Sequence, residues 1–315
     1  MNESFNPVDL FIRLNDKPYP IREHSFEMWN SWVDREVISE IRGNVKKYID
    51  WFYLKSHKQP KDRDRMVNEE LYTSLVYLDY STSQKLEIYQ KVDRINARLQ
   101  KKDITTVLTT ISEDQTKKPK ILESIKNVEK FVKKLKTILL DKDIKKEELS
   151  KYLGGELDGI FKANSRSKYF RRTMQDFYIL WYAINEINSE MVNFRRLEIK
   201  TDIRPIFKYM KNIPSNVVSN NMGYEEFQKL IDNFKNKYRK DKRKIKLSET
   251  EKLQLKETQG NRCAISGAPI FEGDDLEVDH NRPLAIGGKD SEDNLQIAHK
   301  NANRTKGAKP RHSSE

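Results

Sequence analysis

LEVDHNRPLAIGGKDSEDNLQIAHKNANRTKG, residues 276–307, is the stretch on which the reading of this chain turns. A short run of β-type composition, Leu276-Glu277-Val278, leads into an acid-imidazole pair, Asp279-His280. Pro283 and the pair Gly287-Gly288 then mark a turn. From Asn294-Leu295 the apolar residues take helical spacing, and Asn303 stands near the far end of that segment. The residue types suit one kind of chemistry. A carboxylate, Asp279, and an amide oxygen, Asn303, are hard ligands fit for Mg²⁺ or a similar ion. A neutral imidazole beside them, His280, can take a proton from water near pH 7. A returning helix would bring the second ligand back to the first.

At these residues the stretch resembles the HNH endonuclease motif, the ββα-metal nuclease fold. The family pattern places Asp-His on the first strand, Asn at a loop–helix junction, and Asn or His late in the helix. Here fifteen residues separate Asp279 from Asn294, and nine separate Asn294 from Asn303. The wording Gly-Gly, Asn-Leu and Asn-Arg-x-Lys-Gly follows in the same order. The resemblance covers roughly the last 60 residues. It implies Asp279 and Asn303 as metal ligands and His280 as general base. It implies Asn294 as the residue that ties the loop to the strand without touching metal. His299 is a candidate extra ligand. Many members carry two Cys-x-x-Cys pairs that bind structural zinc. The corresponding places here read Cys263…Ser266 and His299…Ala302, so no structural zinc is expected, because such a site wants four ligands. Ile265, Ile270, Leu276, Leu284, Leu295 and Ile297 would hold the module by packing instead. Arg282, Arg304 and Lys306 are the expected phosphate contacts, which set register rather than sequence.

Working outward, the 315-residue chain carries a formal net charge of +12, with 34% charged and 36% hydrophobic residues. The length suggests about two domains. The apolar content suffices for helical cores but not for a wide sheet. A basic excess points to a polyanionic partner, nucleic acid first, with a merely solvated surface as the bland alternative. The single cysteine, Cys263, excludes an intrachain disulfide and a Cys-rich zinc site, and it is consistent with a reducing compartment. The start, MNESFNPVDLFIRLND, has neither the basic nor the apolar region of a signal peptide, and no run approaches the roughly 20 apolar residues that cross a bilayer. A cytoplasmic protein with no membrane association is expected.

Before the motif the pattern is helical. In residues 5–23, Pro7, Pro18 and Pro20 break short apolar runs. There Phe11, Arg13, Leu14 and Asn15 resemble a segment of the ParB-like domain of modification-dependent restriction systems. That likeness implies a C-terminal portion of such a protein, or its helical half alone, because the Asp-Gly-Gln-Gln-Arg-type motif is absent. Phe26, Trp29, Val33, Val37 and Ile41 predict a helix capped by Ser25, with a break at Gly43 and the stripe resumed by Val45, Ile49 and Phe52. His57–Arg65 reads as a charged loop, Leu71–Tyr80 and Leu86–Leu99 as amphipathic segments, and Asp103–Lys118 as a polar loop. Pro119 opens the clearest helix, with Ile121, Ile125, Val128, Val132, Leu135 and Leu139 on one face. Gly154-Gly155 reads as a turn. Residues 166–189 are the most aromatic part; core burial outweighs base stacking beside Arg166, Arg171 and Arg172. Ile203–Met210 and Tyr224–Tyr238 add two helical stretches.

Lys235–Lys246 holds eight Lys or Arg against one acid, Asp241. Such a run stays exposed, either as a solvated linker or as an arm that tracks phosphates into the site. Ser248 and Glu251 form a capping-box pair. The expected architecture is mainly α: an N-terminal helical domain, residues 1–240, followed by a small ββα-metal module, residues 241–315, with a basic lead-in. The expected function is a divalent-metal-dependent (Mg²⁺ or Mn²⁺) endonuclease acting on DNA, with restriction or anti-phage defence as its setting. Two alternatives stay open. One is a nucleic-acid-binding protein with an inactive HNH unit. The other is a helical regulatory subunit that meets a protein partner or an upstream domain and carries the nuclease as an effector.

Overall fold

The computed structural model describes residues 33–54, 67–84, 99, 104, 106–108, 114–140, 144–162, 172–212 and 222–307. Ser25, Phe26, Trp29, the 5–23 segment and His57–Arg65 lie outside them, as does Leu86–Leu99 apart from Leu99. The fold is mainly α with a small C-terminal ββα module. Its residues divide into two compact units, one within Met1–Asn185 and Ile203–Ile231, the other within Glu186–Asp202 and Asp232–Glu315.

The first unit holds five helices that pack on one another. Helix α1, Arg35–Tyr48, is capped by Asp34, whose carboxylate accepts from the amides of Glu36 and Val37. Helix α2, Val67–Ser83, is buried almost all round, so Leu71–Tyr80 is a central rather than an amphipathic helix. Helix α3, Lys118–Leu139, starts with Pro119 in its first turn and buries the six residues of the expected stripe. Helix α2 packs against α3 and α1. Helix α4, Leu149–Lys162, and helix α5, Met174–Ile184, pack on α3, and α5 begins with a Thr173–Asp176 capping box. Phe177, Tyr178, Trp181 and Tyr182 are buried, so these aromatics are core, while residues 166–171 lie outside the described residues.

Four local expectations are corrected. Gly43 lies within α1, and Gly154-Gly155 lies within α4. An interior glycine costs a helix only about 1 kcal/mol, which the buried faces on either side outweigh. Val45 and Phe52 are buried as expected, but Ile49 between them is 47% exposed where α1 ends. Within Asp103–Lys118, Ile104 and residues 106–108 are helical, because Ile104 and Leu108 are apolar enough to bury.

Arg172, 2% exposed, ties this unit together. Its guanidinium donates to the carbonyls of Trp51 (2.7 Å), Phe52 (3.2 Å), Tyr53 (2.7 Å) and Gly154 (2.8 Å), and to Asp158 Oδ1 (2.6 Å). Among the described residues no helix or strand amide is seen to serve those three carbonyls on the chain leaving α1, and one planar fork of donors supplies them.

In the second unit the long helix α6, Ser189–Asn212, contributes its first half, kinked at Arg195. Arg195 pairs with Glu198 (2.7 Å) and lies over the Tyr238 ring just beyond helix α7, Met222–Lys237. Helix α8, Glu249–Thr258, has the expected capping box from Ser248 and Glu251. Strand β1, Leu276–His280, pairs antiparallel with strand β2, Leu295–His299, with Asp279 opposite Gln296 and His280 opposite Leu295. Helix α9, Lys300–Lys306, lies on both strands, and α8 packs on β2.

The segment from Leu295 is therefore first a strand, and the helix starts only at Lys300. Leu295, Ala298 and Ala302 satisfy a helical period while Leu295 and Ile297 satisfy a strand period; pairing with β1 decides between them. The module's core is Cys263, Ile270, Ile297 and Ala298, flanked by Leu255, Ile265, Val278 and Ala302. Leu284 and Leu295 are buried as expected, whereas Leu276 is 36% exposed at the open end of β1.

Replacing Arg172 by Met should lower the stability of the helical unit by about 3–5 kcal/mol, the cost of removing one partner of a buried charge pair. Urea unfolding followed by far-ultraviolet dichroism reads this directly, and an unchanged midpoint would show that water replaces the guanidinium.

Candidate active site

Asp279 and His280 close β1, and strand alternation sends their side chains to opposite faces. On one face Asp279 Oδ2 accepts from Gln296 Nε2 (2.7 Å) and from the Lys306 ammonium (2.5 Å). Lys306 also donates to the carbonyls of His280 (2.7 Å) and Asn281 (3.4 Å), and its side chain is only 5% exposed. Lys306 is thus turned into the module, whereas the sequence reading aimed it at phosphate. Arg282 and Arg304 are exposed. Arg304 lies 3.6 Å from Glu277.

Asn303, on α9, donates through Nδ2 to Glu277 Oε2 (2.9 Å), leaving its Oδ1 as the oxygen for a cation. Because both donors to Asp279 use Oδ2, Oδ1 is the corresponding oxygen there. Among the described residues no group of three or more His, Cys, Asp or Glu could hold a metal ion. A two-ligand hard-ion site does not need such a group, since Mg²⁺ keeps several waters. The donor chemistry fits: a carboxylate and two carbonyl oxygens already converge on one cation, the Lys306 ammonium.

Asn294 fixes the loop between the strands. Its Oδ1 accepts from the Arg282 amide (2.9 Å), and its Nδ2 donates to the carbonyls of Arg282 (2.9 Å) and Lys289 (2.8 Å). Gly287 has φ 93°, open chiefly to glycine, and a Cβ on Gly288 would fall 1.8 Å from the Arg282 carbonyl oxygen. Both glycines are required for this turn.

Residues 261–309 match the family model of the HNH endonuclease. The C-terminal module is an HNH domain. No curated protein and no solved structure matches the chain. Nothing in these comparisons supports the ParB-like resemblance, and Phe11–Asn15 lies outside the described residues. Among the described residues no helix is long and apolar enough to cross a membrane.

Within the HNH domain Cys263 and His299 are neighbours. The thiol accepts from the amides of Ser266 (3.4 Å) and His299 (3.3 Å). Burial pushes the Cys263 thiol up, but hydrogen bonds from Ser266, His299 and Ile265 outweigh it and bring it down to about 7. His299 stands at the cap of α9 rather than within it, so it does not share a helix face with Asn303. Its Nε2 meets Asp274 at 3.2 Å, and that carboxylate raises its pKa.

On the other face of β1 the HNH domain holds a residue that the sequence reading missed. Asp290 Oδ1 lies 2.8 Å from His280 Nε2. Its Oδ2 accepts from the amides of Lys244 (2.5 Å) and Ile245 (3.0 Å). The Lys244 amide foremost, then His280 and the Ile245 amide, hold this carboxyl down at about 2. An ionised carboxylate can only accept, so His280 presents Nε2–H to it. Asp290 follows Gly-Gly-Lys as an ordinary polar residue, and nothing in its sequence neighbourhood marks it. Gln296 and Glu277, which hold Asp279 and Asn303, were missed for the same reason.

Because the folded carboxyl of Asp290 lies below its ordinary value near 3.8, its contribution is complete above that value and is lost as pH falls through about 2. Asp290→Asn does not titrate. Its acid unfolding curve should be shallower than the parent's between about pH 4 and pH 2, and parallel curves would remove Asp290 from the acid response.

Proposed function

We propose that the chain is a metal-dependent endonuclease that hydrolyses DNA phosphodiester bonds through its HNH domain. The observation that carries this reading is the adjacency on β1 of a paired carboxylate, Asp279, and a carboxylate-oriented imidazole, His280, with Asn303 on the helix that packs against that strand. Asp279 and Asn303 would hold a divalent ion, Mg²⁺ or Mn²⁺. When bound, that ion supplies charge stabilisation at the phosphate and at the leaving oxygen.

The chain's own residues do the rest. His280 Nδ1 takes the proton of a water whose oxygen attacks phosphorus, and the resulting imidazolium faces the Asp290 carboxylate. The bond from phosphorus to the 3′ oxygen breaks, and solvent protonates that oxygen. A general base of this kind contributes about 10²–10⁴-fold. Asn294 keeps the loop closed around the pair. Arg282 and Arg304 offer exposed cations to flanking phosphates, and Lys240, Lys242 and Lys244 extend the basic surface.

We assign residues 241–315 to the nuclease module and residues 1–240 to targeting or regulation, where a protein partner or a further domain would engage. Ser266 and Ala302, at two of the knuckle positions, support a module without structural zinc. Restriction or anti-phage defence as the setting rests on sequence resemblance.

One observation favours the second reading, a nucleic-acid-binding protein with an inactive HNH unit. The Lys306 ammonium already neutralises Asp279. Plasmid nicking with Mg²⁺ or Mn²⁺ separates the two: metal-dependent nicking by the full chain supports the endonuclease, and binding without nicking supports its rival.

In that assay His280→Ala should abolish cleavage while DNA affinity stays within a few-fold of the parent's, since the imidazole acts on water rather than on phosphate contacts. Cleavage within a few-fold of the parent's would remove His280 as the base. EDTA should stop cleavage, and added Mg²⁺ or Mn²⁺ should restore it at once. The thermal midpoint should move by only a few degrees, because a weakly held ion adds little by mass action. A module that melts on chelation, or one zinc per chain surviving dialysis, would show that Cys263 and His299 have recruited other ligands.

A further inference from the structure

We propose that Asp290 is a positioning residue for His280 and that it acts with the 240–246 segment seated on it, which makes that basic segment part of the active centre. The inference rests on the base role of His280 argued above. One carboxylate, 7% exposed, meets three donors from two separate parts of the chain: the imidazole at the end of β1 and two successive backbone amides of the lead-in. Arg243 fastens the same segment to β1, donating to the Val278 carbonyl at 2.7 Å, two residues before His280. The Asp290 amide meets Asp241 Oδ2 at 3.4 Å, a third tie between the loop and the lead-in.

The side chains of Lys242, Lys244 and Lys246 stay exposed. The segment therefore has two working surfaces. Its side chains are free to meet phosphates, and its backbone holds the carboxylate that holds the base. A solvated linker needs no backbone contacts with a catalytic loop, and a pure phosphate-tracking arm would supply charge alone. Seating the backbone costs conformational freedom, which the bonds to Asp290 offset.

The test uses the full chain with ring-¹⁵N histidine, of which there are five residues, the His280 signals being assigned by their loss in His280→Gln. The parent should show His280 as a single Nε2–H tautomer. Asp290→Asn cannot serve all three donors: an amide presents its one oxygen either to the imidazole or to the backbone, and its NH₂ opposes the other. In Asp290→Asn the His280 tautomer should change, and kcat should fall by about 10²-fold or more with KM for plasmid DNA nearly unchanged. Lys244→Pro keeps the Asp290 carboxylate while removing one of its backbone donors and one exposed cation, and it restrains the backbone at Arg243. It should also lower kcat and disturb the His280 signals.

Unchanged His280 signals in Asp290→Asn would overturn the positioning role. A change confined to KM in Lys244→Pro, with His280 undisturbed, would overturn the part given to the segment. If the parent cuts no DNA, the endonuclease reading fails, while the ¹⁵N signals still decide whether Asp290 and the segment orient His280.

Discussion

Two five-residue strands cannot hold an active centre by themselves. An isolated hairpin of this length is marginal in water, and stability comes from what packs on it. Every other part of the module can be understood as completing that sheet. Helix α8 packs on β2, and Gln259 just beyond it acts as a substitute strand: its Oε1 accepts from the Ile297 amide (2.7 Å) and its Nε2 donates to the Ile297 carbonyl (3.0 Å). The backbone of β2 is thereby closed to further pairing at that point. Helix α9 covers the Asp279 face, and the lead-in segment anchors to the Val278 carbonyl of β1.

The charges of the module follow from the same crowding. Each carboxylate near β1 has a cation or donor of its own: Asp279 has Lys306, Glu277 has Asn303 and Arg304, Asp274 has His299, and Asp290 has His280 and two amides. An acidic cluster left bare would repel the phosphates that the net charge of +12 attracts. Pairing keeps the acids chemically available while the outward-facing Arg and Lys set the sign of the surface. Asp279 is a case in point. Lys306 and Gln296 both donate to Oδ2, which orients the carboxylate and leaves its second oxygen outside these bonds.

What could be read from the sequence divides along a physical line. Local signals were legible: the Ser248–Glu251 capping box, the Pro119 helix with its six-residue stripe, β1 with its Asp-His end, and Gly287-Gly288 as a turn. Each depends on contacts within a few residues. Misread elements were those in which a tertiary partner overrides a local pattern. Gly154 stays helical because α4 buries its face, and its carbonyl meets Arg172. Leu295–Ile297 becomes a strand because β1 is opposite. At the candidate site the motif placed Asp279, His280, Asn294 and Asn303, but their partners Gln296, Asp290 and Glu277 were invisible, since a polar residue in a loop or strand announces no partner. Arg172, read as flanking an aromatic core, lies inside it for the same reason.

Magnitudes show why the loop between the strands needs both its asparagine and its glycines. Closing the loop from Arg282 to Asn294 costs about (3/2)RT ln n, roughly 2 kcal/mol before any constant term. The Asn294 side chain returns three hydrogen bonds at about 1 kcal/mol each, so the closed state is favoured by a small margin. A non-glycine at 287 would add strain at positive φ, and a Cβ at 288 would collide with a carbonyl oxygen. Either term is comparable to that margin and would reverse its sign. Since Asp290 reaches His280 from within this loop, orientation of the imidazole is a consequence of loop closure rather than of β1 alone. The Asp-His pair closes a strand. The turn that follows it, together with the segment whose amides meet Asp290, places the carboxylate that accepts from one nitrogen of that imidazole.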